Sequence, residues 1–351
     1  MPDPRNSDVT ADITRRRAMG LMAAAPTFLS ERTSAAAAAV DETGFVRIGG
    51  IDQWVGIQGG DARNPAILYL HGGPGEAQSP FLKEFVPWET DFTVVNWDQR
   101  GSGRTYGKYG PATPGMSTPE MALERVCEDA REVAQYVCRR LSKKKIILVG
   151  QSWGAELGLR VVKRWPELFH AFVGTGQPVS WHLKIESQER WAREQATAAG
   201  DQETLKALND TVSLPESDRR RIMASGKYRM APSDLEYINL YKEFLGPPPL
   251  PPHGDAADWL AGGRFTAEKL APIEYSLDAR KLGLDFSIPF FVIQGRDDHI
   301  APFAVAEAYV AEVRAPEKAF IPIAGGHWAC FTNATAFVEA LRQHVRPLAA
   351  R

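Results

Sequence analysis

Short apolar runs rich in β-branched and aromatic residues recur along the chain at 45–48, 53–57, 66–70, 92–97, 146–149, 171–174, 289–294 and 319–323. Runs of this length that stay apolar instead of alternating strictly with polar residues suit strands covered on both faces of a sheet. Most are separated by segments with helical spacing, so the pattern predicts an α/β chain with a mostly parallel eight-stranded sheet and helices on both faces. A closing helix is expected around 335–345.

The strand series breaks between 176 and 287. Residues 177–286 are rich in Glu, Arg, Ala and Leu at helical spacing and carry the breaker Gly246-Pro247-Pro248-Pro249-Leu250-Pro251-Pro252. This reads as a helical cap with a proline-stiffened loop, inserted into a core made of residues 40–176 and 287–351.

The first 39 residues differ from the rest. Arginines at 15–17 precede a mildly apolar stretch at 18–29 and a small-residue segment at 34–39. That order predicts an export signal, and its paired arginines resemble the twin-arginine type, which places the mature protein in the periplasm or outside the cell. The apolar stretch falls short of the roughly 18 residues a helical span needs, so no stable membrane anchor is expected.

Composition narrows the partners. With 41 Lys and Arg against 43 Asp and Glu, net charge is -2, and the basic residues form no stripe, so nucleic acid is not an expected partner. Of the three cysteines, Cys127 and Cys138 fall on one predicted helix about 16 Å apart, beyond disulfide reach.

Chemistry concentrates at the ends of predicted strands. Gly150-Gln151-Ser152-Trp153-Gly154 lies between the run ending at Val149 and a helical segment, the context of a nucleophile elbow. A serine hydroxyl needs a base in reach and a carboxylate to hold that base's tautomer. His327, in Gly325-Gly326-His327-Trp328 after the last strand, is the expected base. Its carboxylate is expected from Gly295-Arg296-Asp297-Asp298, with Asp298 favoured over Asp297 by turn spacing and His299 set aside as a neighbour on the same loop. His71-Gly72-Gly73-Pro74-Gly75 follows the strand ending at Leu70; the Gly73 and Trp153 amides are the expected oxyanion donors. Gly101-Ser102-Gly103-Arg104-Thr105-Tyr106-Gly107 misses dinucleotide-fingerprint spacing, and no helix is expected to open on it. No Walker loop or zinc pair is present, and the chemistry is expected to need no cofactor.

On these motifs, together with Asp98-Gln99-Arg100-Gly101-Ser102-Gly103-Arg104, residues 42–348 resemble the α/β-hydrolase superfamily and, more narrowly, its proline iminopeptidase-like serine aminopeptidases. The resemblance implies Ser152 as nucleophile, Asp298 as orienting acid, His327 as general base and acid, and Gly73 and Trp153 as oxyanion donors. It also implies a small-molecule or short-peptide substrate whose free ammonium is held by cap glutamates. Glu186, Glu189, Glu194, Glu236 and Glu243 are available for that. Gln151 stands where those enzymes usually have glycine, and Trp328 follows the histidine where serine is usual. Release of an N-terminal proline or small residue is the leading expectation; ester or other amide hydrolysis and a non-catalytic binding protein of this fold are the alternatives.

Overall fold

Alternation within the apolar runs decides which side chain faces which layer. In the computed structural model, which describes residues 38–248, 250 and 253–350, strand β3 (Ala66–Leu70) sends Ala66, Leu68 and Leu70 into one buried cluster and Ile67 and Tyr69 into the other. Strand β5 (Ile146–Gln151) divides the same way, with Ile146 and Leu148 opposite Ile147 and Val149. Both faces are therefore dry, and burial on both sides is what an uninterrupted apolar strand needs.

With β1 (Val40–Ile48), β2 (Ile51–Gly59), β4 (Thr93–Trp97), β6 (Phe169–Thr175), β7 (Phe290–Gly295) and β8 (Lys318–Ile323), these strands form one eight-stranded sheet in the order β1-β2-β4-β3-β5-β6-β7-β8. The β1–β2 and β2–β4 pairs are antiparallel and the other five parallel. The sheet matches the expected strands one for one.

Helices α1 (Gly103–Tyr109), α2 (Pro119–Arg140) and α3 (Trp153–Arg164) occupy the first half. Five more, α4 (Trp181–Ala199), α5 (Gln202–Thr211), α6 (Arg219–Ala224), α7 (Pro232–Leu245) and α8 (Asp255–Tyr275), stand between β6 and β7. The chain closes through α9 (Phe303–Glu312), α10 (Ala329–Thr332) and α11 (Ala334–Ala340), the last continuing into a wide turn over Leu341–Val345. Residues from α2, α3 and α9 share one cluster; α7, α10 and α11 contribute to the other.

Helix α1 corrects the expectation that none opens on the Gly101 segment. Its start is set by Asp98, whose carboxylate accepts the Arg104 N–H at 2.8 Å and the Ser79 hydroxyl at 2.7 Å. A carboxylate at a helix N-terminus satisfies an otherwise orphan amide, and Gly103 is needed because a Cβ there would lie 2.4 Å from Asp98 Oδ2.

Residues 1–37 of the expected export signal and Pro249, Pro251 and Pro252 of the breaker lie outside the described residues. Among the described residues, no helix is long and apolar enough to cross a membrane. All three cysteines are free, with Cys127 and Cys138 both on α2.

Candidate active site at the carboxyl edge of the sheet

Ser152 is the single residue between β5 and α3, with φ 53° and ψ -121°. Positive φ is costly for a residue with a Cβ, on the order of 1–3 kcal/mol, and persists only where its surroundings impose it. Here a Cβ on Gly150 would lie 2.3 Å from the Gly154 carbonyl, and one on Gly154 would lie 1.9 Å from the Leu70 carbonyl. The turn is thus wedged between its own helix and the end of β3. Ser152 N–H donates to Thr175 O at 3.0 Å, pinning the turn to the end of β6.

His327 and Asp298 meet beside it. The imidazole Nδ1 lies 3.0 and 3.1 Å from the two Asp298 oxygens, and both residues are buried. Since a carboxylate only accepts, Nδ1 carries the proton and Nε2 keeps its lone pair. Asp298 also accepts the Ile300 and Ala301 amides at 2.9 and 2.8 Å and the Gln294 amide group at 2.8 Å. Its buried charge is therefore fully partnered. Asp297 is exposed and points no group at the histidine loop except its N–H, given to Gly325 O.

The serine and the imidazole flank one turn. Gly176 follows the Thr175 carbonyl that holds Ser152, and a Cβ on Gly176 would lie 2.8 Å from His327 Cε1. Ser152 Oγ itself makes no hydrogen bond among the described residues. Burial pushes the His327 imidazole down, but the Asp298 carboxylate, through its charge and hydrogen bond, followed by Asp234, outweighs burial, and the net shift is above 6.5.

The glycine loop and the elbow are tied together through Gln99. Its N–H donates to His71 Nε2 at 3.2 Å, its side-chain amide donates to His71 O at 3.1 Å, and its side-chain oxygen accepts from the Trp153 indole at 3.3 Å. Trp153 opens α3, so its backbone N–H is among those a helix leaves without an internal acceptor. Gly73 has φ 114°, and a Cβ there would lie 2.5 Å from Gly75 N. Gly72 lies over the elbow, where a Cβ would come 3.2 Å from Ser152 Cβ. Two amide-bearing segments thus converge on the serine turn, an arrangement able to hold an anionic oxygen.

A cavity of about 450 Å³ opens on the glycine loop, between Gly73, Pro74, Gly75 and Glu76 on one side and α8 on the other, with Trp181, Trp259 and Leu260 among its apolar walls. Its charged lining is two carboxylates, Glu76 and Glu274, and one guanidinium, Arg264. Burial raises the Glu76 carboxyl, His327 lowers it and Glu274 raises it. Glu274 also lies 3.5 Å from the Lys184 ammonium.

The five glutamates nominated from sequence stand elsewhere. Glu186, Glu194, Glu236 and Glu243 are exposed, and Glu189 is held by Arg221 at 2.6 and 3.0 Å. Glu76 directly follows the glycine motif, which was the signal that could have found it. Glu274 reaches the cavity only because α8 packs on that loop, with Thr266 donating to Gly101 O at 2.7 Å and the Trp259 indole to Ala77 O at 2.8 Å. Of the other histidines, His299 stacks on Trp191 with ring centroids 4.1 Å apart, His182 contacts Glu216, and His344 sits against Phe291.

The family model described as alpha/beta hydrolase fold matches residues 65–334. A probable aminopeptidase of Bacillus subtilis, YbaC, is 27% identical over 311 residues, spanning 85% of this chain and 94% of its own. A proline iminopeptidase of Lacticaseibacillus rhamnosus is 24% identical, over 82% of this chain and 89% of its own. Among solved structures, a proline iminopeptidase-related protein of Thermus thermophilus aligns with a TM-score of 0.60 at 22% identity, covering 89% of this chain and 99% of its own.

Proposed function

Because the chain belongs to the alpha/beta hydrolase fold family, we propose that it is a serine hydrolase working through an acyl-enzyme, most specifically an aminopeptidase releasing an N-terminal proline or small residue. The observation that carries this is the buried His327–Asp298 pair beside a serine held at φ 53°.

In this reading Ser152 Oγ attacks the scissile carbonyl carbon while His327 Nε2 takes its proton. The Gly73 and Trp153 amides stabilise the resulting oxyanion, an effect worth about 2.7–4 kcal/mol per donor. Collapse expels the leaving amine, which takes the proton from His327. Water then attacks the acyl carbon, gives a proton to His327, and the proton returns to Ser152 as the carboxylic acid leaves. The serine–imidazole contact is one that commonly tightens only when substrate is bound.

Glu76 and Glu274 favour a substrate with a free ammonium. A cation entering a partly desolvated cavity needs an opposite charge, and two carboxylates in the cavity that opens on the glycine loop supply one. The names of the similar proteins from B. subtilis and L. rhamnosus agree with this choice. The substrate's side chain would lie against the apolar wall of Trp181, Trp259 and Leu260.

A panel of aminoacyl anilides, their N-acetylated counterparts and aryl esters tests the proposal. Turnover of free-amine anilides with loss of activity on acetylation supports it; equal turnover of blocked anilides, or turnover of esters alone, supports the ester or amide hydrolase instead. No turnover by a folded protein supports a binding role. Residues 1–39 are proposed to direct export, and N-terminal sequencing of the protein recovered from cell fractions checks this.

A further inference from the structure

A second carboxylate stands against the histidine loop, and it comes from the helices between β6 and β7. Asp234, in the first turn of α7, is fully buried. Its Oδ1 accepts the Trp328 N–H at 3.2 Å, the His327 backbone amide also faces it, and its Oδ2 accepts the Ala231 N–H at 3.2 Å. The preceding Ser233 Oγ accepts the Gly326 N–H at 3.2 Å. The amides on either side of His327 are thus held by two successive side chains of α7.

Gly326 shows how close this approach is. A Cβ there would lie 2.2 and 2.5 Å from the Asp234 oxygens, so the carboxylate occupies the space a side chain would take. One helical turn on, Tyr237 stacks on Trp328 and on Phe331, with ring centroids 5.7 and 5.2 Å apart. Helix α7 therefore grips the loop on both sides of the imidazole.

We propose that Asp234 is a positioning residue for the base: it fixes the backbone of the His327 loop and adds a second negative charge to the one Asp298 presents, so that docking of α7 sets the orientation of the imidazole and the field around it. The inference rests on the reading of Ser152 and His327 as nucleophile and base. Other groups facing the imidazole are Asp298 after β7, Lys184 on α4 and Glu76 on the glycine loop; Asp234 is itself faced by Asp298, His299 and Cys330, and its carboxyl is raised by burial and by Asp298 and lowered by His327 and the Trp328 amide. Lys184 opposes the carboxylates, and Asp298 and Asp234 together outweigh it.

The test compares wild type, Asp234→Asn and Ser233→Ala on one aminoacyl anilide across pH, with thermal melting and labelling by a serine-directed phosphonate alongside. Asp234→Asn keeps an acceptor for the Trp328 amide and removes the charge. Its acid-limb midpoint in kcat/KM should fall by about 0.5–1 unit, kcat on the plateau should fall about 10-fold, and KM should stay within about 2-fold. A merely structural role would lower the melting temperature and leave the midpoint in place, and that result overturns the inference. Should Asp234→Asn fail to fold, Ser233→Ala decides: a fall in kcat of about 3–10-fold at unchanged KM supports the grip on the loop, and an unchanged kcat overturns it. A wild type inert to the phosphonate takes the functional reading down with this one, whereas an unaltered Asp234→Asn profile on an enzyme that does label removes only the role of Asp234.

Discussion

His71 Nε2 accepts the backbone N–H of Gln99 at 3.2 Å while its Nδ1–H donates to the Gly72 carbonyl at 2.9 Å. The ring is buried in its neutral form, bridging the glycine loop to the segment after β4, and burial lowers its pKa to about 4. An unfolded histidine titrates near 6.5. Between those values the unfolded chain binds the extra proton, so stability is fully present above about pH 6.5 and is lost as pH falls toward 4. The loss should be on the order of 3 kcal/mol. Urea unfolding across pH 4–7.5 checks this, and His71→Gln should be less stable at pH 7.5 yet lose less on acidification. An identical pH slope in the variant contradicts it.

The His327 imidazole is raised above 6.5 by Asp298 and Asp234 against the effect of burial, and as the proposed base it must be neutral to accept the Ser152 proton. Activity should therefore rise with pH through a midpoint above 6.5. Asp298→Asn removes the nearest charge and leaves Nδ1 facing an amide, so the midpoint should drop by about 1 unit or more and kcat by up to about 10⁴-fold through the wrong tautomer. A pH–rate profile of both proteins measures this; an acid limb unmoved by the substitution counts against it.

Glu76 lines the cavity that opens on the glycine loop. Glu76→Gln should lower kcat/KM for free-amine anilides by about 10- to 100-fold, the range of one hydrogen bond to a charged group. It should leave the residual rate on N-acetylated substrates unchanged. Equal losses on both substrates would assign Glu76 to the loop's structure and not to the amine.

Gly154 abuts β3 so closely that a Cβ would lie 1.9 Å from the Leu70 carbonyl, a backbone atom that cannot swing away. Gly154→Ala should destabilise by about 3 kcal/mol, the upper end of the usual overpacking range, and displace Ser152. A denaturant melt together with labelling kinetics tests it. Gly200→Ala serves as a contrast, since nothing stands within 4 Å of a Cβ there and only its φ of 65° is strained.

Strand positions were readable because burial on both faces leaves an unmistakable apolar run, as at Ile146–Val149. The elbow was legible because its glycines recur at fixed spacing, Gly150 closing on Gly154 within the turn itself, whereas the contacts of Gly154 with Leu70 and of Gly326 with Asp234 come from distant parts of the chain. Helix α1 was not, since its start depends on Asp98, brought there by β4 and short of any apolar periodicity. Glu274 and Asp234 were not readable for a related reason. Neither helix carries a local signal that marks its carboxylate, and only the docking of α8 and α7 onto loops from distant parts of the chain gives them something to touch. Arg100 belongs with them: it is buried and bidentate to Asp129 at 2.7 and 3.0 Å, inside a motif whose spacing gave no partner.

Mass spectrometry of the protein after reaction with a serine-directed phosphonate addresses the proposed relay of Ser152, His327 and Asp298 most directly. The expected result is a single adduct on the peptide carrying Ser152, formed rapidly in wild type and slowed by at least about 10³-fold in His327→Ala. Rapid turnover of substrate with no adduct on Ser152, or labelling that His327→Ala leaves untouched, would contradict it.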